Sequence, residues 1–488
     1  MSVSASVLMS ASPTSHGNTM DIVRADLQAT LQLQRAAYLA HPIPSLAERK
    51  ADLQKLKSFI RDNKQGLIAA INADYGNRSA HETLLTELAP VMGEVDHAVR
   101  HLGKWMKPQR RGVDLINYFG ARNRVIPQPL GVVGCIVPWN FPVNLTFTGL
   151  VSIFAAGNRA MVKMSENSRY LCRFLMDRVP AYFPRDKLAF FDETGGVGIE
   201  FSKLKFDHLL FTGSGATGRA VMAAAAQNLC PVTLELGGKA PAIVCDDFPL
   251  RKATERLMFV KCLNAGQICT TVDYLFLPKG KTTEFVTLAK EIVTARYPTI
   301  DSPDLTSIID DRAFDRLTAA LDDAQARGAT LVQLVPGKKW DAATRKIAPH
   351  IVLNAPEDCL LRQREIFGPF LPIIEYSTLE EPIQYINDRP RPLAIYPFSN
   401  DRDKIQTLLD RVMSGGVSVN DALFHVGQAD LPFGGVGDSG MGHYHGYEGF
   451  TTFSKLRPVF YQAPFSAIKF LWPPYGKFAT KYLNFLTR

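Results

Sequence analysis

Four short segments bring together residue types that can do chemistry. Asn264-Ala265-Gly266-Gln267-Ile268-Cys269 sets one cysteine among small and polar neighbours. As a thiolate it would be a nucleophile, although most free cysteines are packing residues. Leu234-Glu235-Leu236-Gly237-Gly238-Lys239 puts a carboxylate between two leucines, as a general base or as a solvated strand end. Pro138-Trp139-Asn140-Phe141-Pro142 holds an amide between stiffening prolines, as a fixed donor or as a structural turn with a packed Trp. In Phe211 to Gly218, the residues Gly213, Gly215 and Gly218 fit G-x-G-x-x-G, a spacing that lets a phosphate approach backbone N–H groups where a helix begins. No acidic residue stands at the usual distance, so this segment alone argues more for a plain helix-entry turn than for nucleotide binding.

Taken together, the four are the parts for oxidising an aldehyde. An aldehyde carbon does not readily release hydride by itself. Adding a thiolate first gives a tetrahedral alkoxide, whose collapse expels hydride to a nicotinamide ring and leaves a thioester. An Asn side chain and a backbone N–H can stabilise the alkoxide, and a carboxylate can activate the water that releases the acid.

Elements must hold these groups at one place. Continuous apolar runs at 131–137, 160–163, 188–191 and 208–211 read as buried strands. Helical patterns at 170–179 and 218–226 alternate with them, which implies a parallel sheet. A second alternation from about 232 to 420 includes strands at 242–245 and 274–277 and a helix around 313–327. Upstream, a capping box at Ser45 to Glu48 opens what reads as the first clear helix. A second box at Ser79 to Glu82 opens a long amphipathic stretch that Pro90 is placed to kink. Residues 124–130 and the tail after Gly415 read as extended arms. The expected organisation is a disordered lead-in over 1–20 and a dinucleotide-binding domain over 21–232, interrupted by an arm at about 108–130. A catalytic domain over 233–420 and an oligomerisation arm with tail over 421–488 complete it.

Composition is that of an ordinary globular protein, 46% apolar and 21% charged, with a net charge of +8 from interspersed residues. No basic-aromatic module argues for nucleic acid. The seven cysteines lack paired metal or redox spacings, which predicts no metal site and a reducing cytoplasm. No run reaches the roughly 20 apolar residues of a membrane span. The N-terminus lacks the basic and apolar regions of a signal peptide. Residues 465–472 form an apolar cluster, interrupted by Lys469 and followed by Pro473-Pro474. It is expected to pack on the protein near a subunit interface or the mouth of the aldehyde tunnel.

The chain resembles the aldehyde dehydrogenase superfamily from about residue 25 to about 460. The four segments occur in the family's order, with Glu235 and Cys269 at its separation. Glu365-Ile366-Phe367-Gly368-Pro369, Pro432 to Gly435 and Gly449 to Ser454 match as well. The resemblance implies an α/β fold of two parallel-sheet domains plus a small β arm, and NAD as cofactor with NADP as the alternative. It implies a homodimer acting on a small-molecule aldehyde. It makes Cys269 the nucleophile, Asn140 with the Cys269 N–H the oxyanion site, and Glu235 the deacylating base. Lys163 and Glu166 would hold the adenosine ribose, and Ser214 with Gly213 and Gly218 the pyrophosphate. Glu365 would take the nicotinamide ribose, with Phe367 and Trp139 beside the ring.

Asp273-Tyr274, Arg389 to Tyr396 and Met441 to Gly446 are similar to the class-three branch, with the texture of coniferyl and fatty aldehyde dehydrogenases. An aromatic aldehyde such as coniferyl aldehyde, or a medium or long-chain aliphatic one, is therefore expected. Gly149 stands where many members of other branches carry a lysine for proton escape. Thr271-Val272 replaces a common Ala-Pro beside the nucleophile. Transfer of the acyl group to coenzyme A or phosphate is the nearest rival, and Glu235 argues for water. A Cys/His hydrolase is the rival of another class, but no His flanks Cys269.

Overall fold

The computed structural model describes residues 14–193 and 196–488. It contains two largely parallel sheets, each between helices, and a three-stranded antiparallel arm. The first sheet has six strands in the order 440–441, 232–236, 208–213, 132–136, 159–163, 188–191. All neighbours run parallel except Gly440–Met441, which pairs antiparallel with Val232–Leu236. Val132–Ile136 is fully buried; the chain goes from it to Arg159–Lys163 on one side and later to His208–Gly213 on the other, so the winding reverses at its C-terminal end. Ligands bind at that position in open parallel sheets. The helix Pro142–Ala156 leaves this point with nearly every side chain buried, as its apolar sequence requires.

The second sheet has seven strands, and only Thr330–Gln333 runs antiparallel to its neighbour, His350–Leu353. Tyr274–Pro278 and Pro241–Val244 are central in it, between Phe370–Tyr376 and Ala394–Phe398. The arm joins Gln109–Arg111, Arg122–Pro129 and Ser454–Tyr461. Residues 440–441 thus belong to the first sheet rather than to the arm that was expected to take the whole of 421–488.

Two expectations near the N-terminus need correction. Of the lead-in, residues 1–13 lie outside the described residues, but a 27-residue helix spans Thr14–Ala40, ahead of the one at Ser45. It has no acidic first turn to announce it. It is held by tertiary packing: Leu27 and Leu31 join the buried apolar cluster that includes Val132 and Met161, and Gln34 Nε2 donates to Ala160 O and Arg185 O at 2.9 and 3.0 Å. The box at Ser45 forms in full, with both reciprocal bonds to Glu48. The box at Ser79 does not. Ser79 Oγ instead donates to Asp304, and the Glu82 carboxylate is drawn away to the backbone N–H of Asn264 and the Thr306 hydroxyl. Pro90 sits in the first turn of the helix Ala89–Trp105, after a π-helical turn at Leu84–Leu88. Proline cannot donate to the Thr86 carbonyl, and Asn144 Nδ2 takes that place at 2.8 Å.

The tail ends in a helix, Lys477–Leu486, that touches the arm region through Tyr482 Oη and Asn117 Oδ1 at 2.6 Å. Phe465, Phe470, Trp472 and Phe478 are exposed, so only part of the expected packing is made within one chain. Among the described residues, no helix is long and apolar enough to cross a membrane, and no His, Cys, Asp and Glu group could hold a metal ion.

Candidate active site

A cavity of about 390 Å³ opens between the two sheets at the C-terminal edge of the first. Cys269, Glu235 and Asn140 all line it, as do Trp139, Gly213, Ser214, Glu365 and Phe367. Lys163 and Glu166 stand outside its wall, at the end of the strand Arg159–Lys163. Gly218 is also outside: a Cβ there would meet Leu236 Cδ2 at 2.6 Å, so the glycine lets the helix Gly215–Ala226 close on its strand.

Asn140 is clamped through its own backbone. Its carbonyl accepts from Tyr75 Oη (3.0 Å), Arg78 Nη1 (3.1 Å) and Asn264 Nδ2 (3.3 Å). Arg78 pairs with Glu87 at 2.9 Å, both side chains fully buried, and Glu87 Oε2 accepts from the Val143 and Asn144 N–H groups. One carboxylate therefore caps the helix that follows the turn and neutralises the cation that holds it. The Asn140 side chain donates only a long 3.3 Å bond to Gln267 O.

The cysteine loop needs unusual backbone. Asn264, Ala265 and Gly266 are all left-handed, with φ of 50°, 51° and 71°. At Gly266 a Cβ would lie 2.3 Å from Gly368 O, so only glycine fits. Gln267 fastens the loop, donating to Asn264 O and Ser307 O and accepting from Ile309 N. The Asn-Ala-Gly-Gln motif is thus scaffolding for Cys269. Among the seven cysteines Cys269 alone is not fully buried. Burial, with the nearby Glu365 and Glu235, pushes its thiol up to about 12.

Glu235, near the end of Val232–Leu236, is 2% exposed, and neither carboxylate oxygen has a hydrogen-bond partner. Burial alone raises its titration well above the ordinary carboxylate range. Glu365 is pushed up to about 8, by burial first and by Asp273 second. Its carboxylate lies over Gly237, where a Cβ would sit 2.0 Å from Oε2. Phe367 meets Trp139 edge-on at 5.5 Å between ring centroids.

Several supporting residues carry no sequence motif. Asp273 binds Lys239 and accepts from Ile366 N at 2.8 Å, while Lys239 also donates to Leu361 O and Arg364 O. Together they tie the Glu365 loop to the cysteine loop. Arg316 lines the cavity and donates to Ile366 O at 2.9 Å. An arginine within the Ala- and Asp-rich pattern at 311–326 was the available signal. At Gly149, a Cβ would already meet Leu210 Cδ2 at 3.0 Å, so a lysine there would require repacking.

The cavity suits a dinucleotide on its own evidence. Glu365 Oε1 is buried without a partner at the wall, an acceptor that a ribose hydroxyl would satisfy. Beside it, Gly213 and the Ser214-capped start of Gly215–Ala226 bring backbone to the same wall.

The model of the aldehyde dehydrogenase family matches residues 4–459. A probable coniferyl aldehyde dehydrogenase of Pseudomonas aeruginosa is 49% identical over 452 residues, covering 92% of this chain and 94% of that one. Aldehyde dehydrogenase family 3 member B1 of Rattus norvegicus is 38% identical, over 89% of this chain and 91% of its own. Among solved structures, a substrate-bound AldH of Staphylococcus aureus superposes with a TM-score of 0.89 at 31% identity, covering 95% of this chain and 99% of that one. The chain belongs to the aldehyde dehydrogenase family, and its relatives include the class-three branch that the sequence suggested. It is an NAD(P)-dependent oxidoreductase that converts an aldehyde to the acid, and acyl transfer to another acceptor is not favoured.

Proposed function

We propose that Cys269 attacks the aldehyde, that Asn140 and the Cys269 N–H hold the oxyanion, and that Glu235 activates the deacylating water. The observation that carries this reading is the meeting of the one incompletely buried thiol with an unpartnered buried carboxyl and a weakly engaged amide in one cavity. The resting thiol is neutral, so before attack it must give up its proton, to solvent in the open cavity. The thiolate sulfur then bonds to the carbonyl carbon and the carbonyl oxygen becomes the alkoxide. Asn140 Nδ2 can leave its long bond to Gln267 O and donate to that oxygen. When bound, the dinucleotide supplies the acceptor for the hydride that the carbon gives up. A thioester remains on Cys269. Glu235, deprotonated, takes a proton from water as its oxygen adds to the thioester carbon, and the C–S bond breaks to release the acid.

Lys163 and Glu166 would hold the adenosine ribose, Gly213, Ser214 and Gly218 the pyrophosphate turn, and Glu365, Phe367 and Trp139 the nicotinamide half. The likeness to the Pseudomonas aeruginosa relative favours an aromatic aldehyde such as coniferyl aldehyde, with medium or long-chain aliphatic aldehydes as the second choice. The exposed aromatic residues of the tail support a homodimer, and seven free cysteines support the cytoplasm. The test is a panel of aromatic and aliphatic aldehydes on Cys269→Ala and Cys262→Ala. The first should lose several orders of magnitude in kcat with its fold intact, and the second should not. Equal loss in a stable Cys262→Ala would overturn the assignment.

A further inference from the structure

The strand Arg159–Lys163 ends on a lysine that is already taken. Lys163 Nζ pairs with Glu193, and the two side chains are 8% and 19% exposed. Glu193 is itself fixed. The N–H of Gly198 donates to its Oε2 at 3.0 Å and approaches Oε1 at 3.3 Å. Gly198 matters for this contact: a Cβ there would lie 2.9 Å from Glu193 Oε2 and 3.3 Å from Lys163 Nζ. A second carboxylate, Glu166, stands exposed three residues past Lys163, with Ser165 Oγ at 3.4 Å. Arg169 is also near, its Nε donating to the Glu166 carbonyl at 3.1 Å, but its charge acts on Asp74 as well.

We infer that Glu193 sets the cofactor preference, by occupying the ammonium of Lys163 so that a 2′-phosphate finds carboxylates rather than a free cation. The enzyme then selects NAD over NADP. The inference rests on the reading that Lys163 and Glu166 hold the adenosine ribose, and it adds to that reading a residue that need not touch the cofactor at all. The physical reason is charge balance in a partly desolvated corner. A ribose hydroxyl can donate to Glu166 without adding charge. A phosphate there would bring further negative charge beside the Glu166 and Glu193 carboxylates, with the Lys163 ammonium already paired to Glu193. Glu193 is therefore a specificity-determining residue that acts through Lys163.

Binding of 5′-AMP and of adenosine 2′,5′-bisphosphate, measured by calorimetry on the full chain, isolates the 2′-phosphate from turnover. Wild type should bind 5′-AMP at least about tenfold more tightly, roughly 1.4 kcal/mol. Equal or tighter binding of the bisphosphate by wild type would overturn the inference with no variant needed. Glu193→Gln keeps the shape and removes the charge. It should tighten bisphosphate binding about tenfold (~1.4 kcal/mol) while 5′-AMP changes less than about threefold. Glu193→Val serves as a second variant should the first melt early. Adding Lys163→Met to either should erase the gain. An unchanged ratio of the two affinities in a folded Glu193 variant sinks the inference. If Lys163→Met alone leaves both nucleotides bound as in wild type, the ribose reading itself fails, which separates the two failures.

Discussion

Arg78 offers a perturbation whose size follows from the structure. Its guanidinium and the Glu87 carboxylate are both fully buried, and no solvent can take over if either is lost. In Arg78→Met, Glu87 would keep only the two N–H groups at the start of Pro142–Ala156. Breaking such a pair from one side costs about 3–5 kcal/mol. For domains of this size that corresponds to a fall of roughly 6–20 °C in the thermal midpoint. The sign of the pH dependence is also fixed. Burial raises Glu87 above its unfolded value, and Arg78 opposes that rise. Without Arg78 the folded carboxyl titrates higher still. The folded form then holds a proton that the unfolded chain has released, and stability is lost as pH rises through that window. The deficit should be smaller at about pH 5 than at about pH 7.5. Arg78→Met with Glu87→Leu removes the stranded charge and should recover most of the loss, short of about 1–2 kcal/mol for the missing helix cap. Chemical and thermal denaturation of wild type, the single variant and the double variant at both pH values provide the assay. A double variant as unstable as the single, or a deficit that does not grow with pH, would refute the reasoning.

Two further outcomes are expected. Asn140→Ala should lose roughly 2–4 kcal/mol of transition-state stabilisation, about 30- to 1,000-fold in kcat, with aldehyde KM nearly unchanged; an unaltered kcat would reduce Asn140 to a turn residue. Deleting residues 463–488 should lower the thermal midpoint and shift the proposed homodimer towards monomer in sedimentation, and a deletion variant indistinguishable from wild type would remove the tail from the proposed interface.

The parts of this molecule that were legible in its sequence are those whose constraint is local. Glu235, Cys269 and Asn140 sit in short segments shaped by the backbone they need: three left-handed residues before Cys269, and stiffening prolines around Asn140. The buried strands were legible as apolar runs, and Ser45 as a helix cap, because each acts within a few residues. The clamp on Asn140 was not, since Arg78 reaches it across 62 positions and Glu87 reaches Val143 across 56. Ser79 and Glu82 show the same limit from the other side: a local capping pattern was overruled by partners more than 180 positions away. The helix Thr14–Ala40 is not legible because two leucines and Gln34 anchor it to the first sheet, with no terminal signal of its own.

The most direct measurement on the covalent mechanism is rapid mixing of Glu235→Gln with aldehyde and cofactor, followed by mass analysis of the Cys269 peptide. Removing Glu235 also removes one of the charges that hold the Cys269 thiol up, so the first step should survive and should quicken as pH rises. The expected result is a burst of about one equivalent of reduced cofactor per subunit, very slow turnover afterwards, and an acyl group on Cys269. In wild type, steady turnover should rise with pH as the buried Glu235 gives up its proton. An absent burst with cofactor binding intact, or an acyl group on any cysteine other than Cys269, would contradict the mechanism.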